Sequence, residues 1–284
     1  MSDADDIADD IADGVFVSVR DGYDAVYDTL PRGATFSRLW RQHAYGGDFP
    51  EAFAHIGFLT LTEARHLLDL LRVPSGGALV DLACGAGGPG LWVADQTGAS
   101  LIGVDPSAAG LAAARKRAEA VGLGPRATFV EGTFEQTGLP DGIAGAVMTI
   151  EAFQYAPDKG AALAEMARIL EPGGGLAIVA FEVDPAKVAG VPVLGVDPVA
   201  DYRPLLEQAG LTVEAYEETP GWRDRVFSAF GALLDAGEAL AVEMGERAAA
   251  GVIAEAMLTV QLEPYPRRVL AVARRPHHSE PASR

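Results

Sequence analysis

The chain has 284 residues, 49% hydrophobic and 22% charged, enough apolar sequence to bury a large core without a disulfide or a structural metal. Its single cysteine, Cys84, excludes an intramolecular disulfide and a cysteine-only zinc site, and no apolar run reaches the ~18 residues of a membrane span. A net charge of −18, from 22 Lys and Arg against 40 Asp and Glu, disfavours nucleic acid and anionic lipid as bulk partners.

Residues 1–14 carry six Asp and no basic residue, and are expected to form a disordered acidic tail. Such a start is unlike a secretory signal, so a cytoplasmic protein is expected. Residues 15–74 form a helical cap in this reading. Tyr23, Val26, Tyr27 and Leu30 recur at helical spacing until Pro31 and Gly33 break the run. Phe36, Leu39, Trp40 and His43 suggest a second short helix. Thr62 is expected to N-cap a helix through Leu67, Leu68 and Leu71 that closes before Pro74.

From Gly77 the pattern changes to short apolar runs alternating with helices. Strands are expected at 78–83, 101–104, 128–130, 143–150, 176–181, 211–216 and 268–273. Helices are expected at 89–96, 107–120, 158–170 and 202–209, with one or two more over 222–256. Strand–helix alternation with short links predicts an α/β, Rossmann-like, mostly parallel sheet with helices on both faces and the helical cap at its N-terminal side. The core spans 75–274 with a helical insertion near 222–258, and a polar tail follows over 275–284.

The most informative stretch is Asp81-Leu82-Ala83-Cys84-Gly85-Ala86-Gly87-Gly88-Pro89-Gly90. Its Gly85, Gly87 and Gly90 form G-x-G-x-x-G between a strand and a helix, where a backbone without Cβ atoms turns tightly and admits a ligand close to the main chain. Asp105 stands twenty residues after Gly85, at the end of the next strand, where a carboxylate can accept both ribose hydroxyls of an adenosine. Dinucleotides and S-adenosylmethionine both fit this pattern. A pyrophosphate on the helix N-terminus would be repelled by Asp81, whereas a sulfonium and an ammonium would be favoured by it.

Residues 81–90 resemble the first motif of class I S-adenosylmethionine-dependent methyltransferases of the small-molecule type. Gly103-Val104-Asp105 resembles the second motif, Gly132-Thr133-Phe134 the segment beside the adenine, and Thr149-Ile150-Glu151-Ala152-Phe153 the segment after the fourth strand. Residues 170–176 (LEPGGGL) are similar to the turn before the fifth strand. The resemblance covers roughly residues 20–274 and implies a seven-stranded sheet whose last strand is inserted antiparallel. It implies S-adenosylmethionine as cofactor, held by Tyr23, Asp81, Ala83, Gly85, Gly87, Asp105, Pro106, Thr133, Phe134 and Glu151. The chain departs from many relatives with Gly145 in place of Asp, Thr133 in place of Asp, and Gln154-Tyr155 in place of a histidine.

Methyl transfer needs an acceptor held in line with the sulfonium methyl, water excluded, and for some acceptors a general base. Glu151 and Tyr155, just past the fourth strand, and His43 and His55, in the cap, are the candidate catalytic residues. His55-Ile56-Gly57-Phe58 is similar to an H-x-G-[FY] stretch of small-molecule members, and Tyr23 and Tyr27 could close over the methionine end of the cofactor. Trp40, Phe49, Phe58, Trp222, Phe227 and Phe230 could wall an apolar acceptor pocket. No metal signature is present, and no metal is expected. The expected function is methyl transfer to O, N or C of a small organic acceptor, with neither nucleic acid nor membrane as partner and a homo-oligomer possible. The alternatives are a cofactor-binding protein of the same fold with a non-methylating reaction such as cyclisation, a nucleotide-dependent oxidoreductase, and a non-catalytic binding module.

Overall fold

Successive residues along the strands point to opposite faces of one sheet, and both faces are buried, which builds two apolar layers. The computed structural model describes residues 19–29, 33–189, 197–262 and 265–277. The expected tail at 1–14, the break at Pro31 and the chain from His278 onward lie outside the described residues. The strands are β1 (Ala78–Leu82), β2 (Ser100–Asp105), β3 (Ala127–Glu131), β4 (Ala144–Ile150), β5 (Leu170–Val183), β6 (Thr212–Glu218) and β7 (Pro266–Arg274). They form one seven-stranded sheet in the order β3-β2-β1-β4-β5-β7-β6. The first five are parallel, and β7 runs antiparallel to both β5 and β6.

Leu79, Leu101, Met148, Ala177 and Val179 face one side, against α3 (Leu61–Leu71), α4 (Gly88–Thr97) and α5 (Ala108–Ala120). Val80, Leu82, Val147, Leu176 and Ile178 face the other, against α6 (Lys159–Ile169) and α7 (Arg203–Gln208). The Pro172-Gly173-Gly174 turn loops out of β5: Ala144 pairs with Leu170 and Ala146 with Gly175, so four residues bulge where the partner has one.

The remaining helices are α1 (Val19–Thr29), α2 (Ala34–His43), α8 (Trp222–Asp235), α9 (Gly237–Met244) and α10 (Glu246–Gln261). The last three stand where one or two helices are expected. The chain leaves helical geometry at Ala236 (φ −99°, ψ 9°) and again at Gly245 (φ 90°, ψ 151°), a conformation that glycine tolerates and other residues do not. α2 packs on α8 and α9, and α1 bridges α5 and α10, so segments from before β1 and between β6 and β7 cover the sheet together. Among the described residues no helix is long and apolar enough to cross a membrane.

The cap of α3 differs from expectation. Thr60, not Thr62, is the N-cap: its hydroxyl accepts from Glu63 N (3.2 Å) and Glu63 Oε2 accepts from Thr60 N (3.1 Å). This capping box uses the Thr-x-x-Glu spacing, which Thr62 lacks. Thr60→Ala is expected to lower the unfolding free energy by about 1 kcal/mol in urea titration. Thr62→Ala, at an exposed site, is expected to stay within about 0.5 kcal/mol of the parent.

Candidate active site

The carboxyl ends of the parallel strands converge on one cavity of about 360 Å³. Asp105 closes β2 and organises this end of the sheet. Its Oδ2 accepts from Gly85 N (2.7 Å) and its Oδ1 from Ser107 N (2.8 Å). Each oxygen keeps a lone pair for a ligand, and Asp105 lines the cavity. Burial pushes its pKa up, and the two amide donors pull it back. The turn it holds is bent by left-handed residues at Ala83 (φ 57°), Gly85 (φ 50°) and Gly87 (φ 75°).

Tyr23, Ala83, Pro106, Thr133, Phe134 and Glu151, all expected at the cofactor, line the cavity. Asp81, Gly85 and Gly87 lie behind its wall. The Asp81 carboxyl, 3% exposed, turns under α4 to the Gly90 amide, and burial with Asp105 nearby raises its pKa to about 8. It therefore shapes the turn and does not face a sulfonium. Gly87 packs against Leu91, Ala114 and Phe129. The Tyr27 hydroxyl rests over Gly85, where a Cβ would collide with it. Tyr27 is held there by α1, whose Asp24 accepts from Ser107 Oγ and from Ala109 N at the start of α5.

Glu151, at φ 56° just past β4, belongs to a buried charge network rather than to a free base. Its Oε2 accepts from Phe58 N (2.5 Å) and its Oε1 from Arg268 Nε (2.6 Å). Arg268, with no exposed surface, also donates to Glu63 Oε1 (3.1 Å) and Thr219 Oγ1 (2.6 Å). Arg225 of α8 donates to the same Glu63 oxygen (2.5 Å). Glu151 is thus the counter-charge of a buried guanidinium, which corrects its expected part as a base. Gly57 is explained by the same packing, since a Cβ there would stand 2.6 Å from Glu151 Oε2.

The histidines take structural positions. His55 Nε2 donates to the Leu59 carbonyl (3.1 Å), and its Nδ1 accepts from Gly57 N (3.1 Å), which fixes the neutral Nε2–H form. The ring stacks on Tyr45 (4.5 Å) and meets Phe49 edge-on (4.8 Å), and burial pushes its pKa down to about 3. His43 Nδ1 bonds Ser228 Oγ (2.8 Å) outside the cavity. Neither is a base for an acceptor, because neither reaches the chamber. Tyr155 does: it lines the cavity, with its ring edge-on to Tyr23 (6.1 Å) and the two hydroxyls hydrogen-bonded. Burial raises both pKa values, so both phenols are neutral donors and acceptors.

Trp40, Phe58, Trp222, Phe227 and Phe230 wall the far end of the cavity, whereas Phe49 packs under Trp92 (6.0 Å). The sequence reading missed Phe181 of β5, Glu255 and Thr259 of α10, and Leu262 just after that helix, which also line it. The i, i+4, i+7 spacing of the last three was the available signal. Among the described residues no group of three His, Cys, Asp or Glu side chains could hold a metal ion.

Residues 80–178 match a family model described as a methyltransferase domain. Methyltransferase GfsG of Streptomyces halstedii is 32% identical over 185 residues, 60% of this chain and 66% of that one, just under two thirds of its length. The 27-O-demethylrifamycin SV methyltransferase of Amycolatopsis mediterranei is 27% identical over 217 residues, 71% of this chain and 78% of that one. Among solved structures, the [4+2]-cyclase SpnF superposes with a TM-score of 0.73 at 21% identity, covering 91% of this chain and 96% of that one.

Arg268→Met leaves Glu151 and Glu63 buried with less positive charge and is expected to cost about 3–5 kcal/mol in urea unfolding. For His55 the folded pKa (about 3) lies below the unfolded value, near 6.5. The unfolded chain therefore binds more protons between these values, and stability from neutral His55 is full above about pH 6.5 and is lost as the pH falls toward 3. His55→Gln is expected to flatten that part of the stability curve, read from urea midpoints at successive pH values.

Proposed function

We propose that this chain is a class I S-adenosylmethionine-dependent methyltransferase, as its likeness to named methyltransferases supports, and that it methylates a mostly apolar small organic acceptor that enters beneath its helices. The observation that carries this reading is one continuous cavity, which joins the carboxyl ends of the strands to a chamber walled by aromatic side chains. The core over 75–274 holds the cofactor in this reading, and the helices of 15–74 and 222–258 form a lid over the acceptor.

S-adenosylmethionine supplies a methyl group on a positively charged sulfur. The residues present suit such a ligand. Among the described residues no Lys or Arg lines the cavity, so none of them neutralises a pyrophosphate, while Asp105 offers its free lone pairs to a ribose diol. Pro106, Thr133 and Phe134 flank the place for the adenine. The buried Gln154 Oε1 has no partner among the described residues, and its orientation is set by Nε2 donating to the Glu151 carbonyl (2.7 Å). It is an acceptor waiting for an ammonium. Tyr23 and Tyr27 of α1 cover this end and exclude water.

The acidic balance of the whole chain supports a small molecule over nucleic acid as acceptor. The compound in the rifamycin relative's name, 27-O-demethylrifamycin SV, is the first acceptor to offer, together with apolar alcohols, phenols and amines. Mass spectrometry decides between readings: a gain of one methylene is transfer, and an altered product of unchanged mass is rearrangement of the kind that SpnF's description names.

S-adenosylhomocysteine is expected to bind with micromolar affinity in calorimetry, and NADH not to bind. Asp105→Ala is expected to weaken that binding by about 1.5–3 kcal/mol, the loss of a charged acceptor; an unchanged affinity sinks the ribose assignment.

A further inference from the structure

Among the described residues three carboxylates line the cavity: Asp105, Glu151 and Glu255. Asp105 is engaged by the Gly85 and Ser107 amides, and Glu151 by Arg268 and the Phe58 amide. Glu255 has no such commitment. No hydrogen bond or ion pair of its carboxyl is found among the described residues, and no Lys or Arg shares the lining. It projects from α10 one turn before Thr259, on the helix face that lines the cavity with Leu262. Tyr23 of α1 and Tyr155 of the loop after β4 are the titratable groups that face it. α8 and α9, which pack on α10, add no charge there.

An uncommitted carboxyl among aromatic walls has two chemical uses: pairing with a cationic ligand, or taking a proton from a neutral one. Burial moves Glu255 to a pKa of about 7, where it is half ionised at neutral pH and well matched to proton transfer. The phenols of Tyr23 and Tyr155, which face the carboxyl, can hold an acceptor hydroxyl against it, and this geometry favours the second use. Resting on the methyl-transfer reading above, we propose that Glu255 is the general base of this site and that the acceptor is an apolar molecule bearing a hydroxyl, methylated on oxygen. The acceptor O–H bond breaks and its proton passes to the Glu255 carboxylate. The oxygen forms the new O–CH3 bond while the S–CH3 pair stays on the departing thioether. Tyr155 and Tyr23 hold the hydroxyl's approach from the cofactor side.

The test uses the whole protein saturated with S-adenosylhomocysteine, with 2-naphthol as probe. This apolar phenol becomes strongly acidic when excited and emits at longer wavelength once its proton has gone to a base. The parent is expected to bind it and to show naphtholate emission that grows as the pH rises through about 7. Glu255→Gln is expected to abolish that emission, Glu255→Asp to keep part of it, and both to bind S-adenosylhomocysteine within twofold of the parent. On any alcohol or phenol methylated in the acceptor panel, Glu255→Gln is expected to lower kcat at least ~100-fold and to remove its rise near pH 7. Undiminished naphtholate emission or kcat in Glu255→Gln overturns the proposal, as does failure of 2-naphthol to bind or methylation confined to amines or carbon. Failure of the parent to bind S-adenosylhomocysteine is a different result and strikes at the methyltransferase reading itself.

Discussion

A guanidinium with no exposed surface constrains this molecule more than any other group. Arg268 lies on β7, the antiparallel strand wedged between β5 and β6, with its side chain at 0% exposure. Such a charge is tolerable only when matched carboxylates and hydrogen bonds replace water around it. The chain supplies Glu63 from α3 and Glu151 from the loop after β4, and Glu63 in turn engages Arg225 of α8. One network therefore joins the sheet, a helix from before β1 and a helix from between β6 and β7. It also holds Glu151 at a positive φ, a backbone state that costs about 1–3 kcal/mol and persists only when its surroundings enforce it. Gln154 and Tyr155 follow from there into the cavity. The ion pair is structural, and its effect is to aim two neutral polar groups.

The cofactor end and the acceptor end differ in how sequence encodes them. At the cofactor end recognition is carried by backbone: a strand, a turn with left-handed residues, a helix start, and a carboxylate that draws in the Gly85 amide. Such a unit is contiguous or repeats after one strand–helix step, so residue types and spacing expose it. The same contiguity made Asp81 and Gly87 look like contacts. Whether a side chain at a turn points into or behind it depends on what packs there, and Gly90 and α5 decided that.

The fold was legible for the same reason. Alternating apolar runs with glycine and proline between them placed all seven strands, and the errors are local. Thr62 stood as the expected cap because the helix start was read two residues late. The segment over 222–256 hid two breaks, since Ala236 carries no helix-breaking signal and Gly245 sits in an alanine- and glutamate-rich run. His55 was misread because an H-x-G-F pattern says nothing of the Leu59 carbonyl and Gly57 amide that occupy both ring nitrogens. The Arg268–Glu63 contact spans 205 positions and leaves no local trace.

The aromatic chamber proposed for the acceptor takes its side chains from α2 and the loop after it, from β5, from α8 and from α10, segments spread over more than 200 positions of the chain. Three of these walls are apolar helix faces, and a helix shows the same spacing whether it covers a core or a ligand. Glu255 is the instructive case. In sequence it is one glutamate on an amphipathic helix, where solvent exposure is the ordinary fate. Only the docking of α10 against α1 turns it inward, to face Tyr23 and Tyr155. The residues proposed to bind the cofactor are tied to the sheet's own geometry, whereas those proposed to meet the acceptor are tied to how α2, α8 and α10 happen to pack. A change of acceptor therefore needs only new side chains on those helices, provided the Arg268 network still anchors them to the sheet.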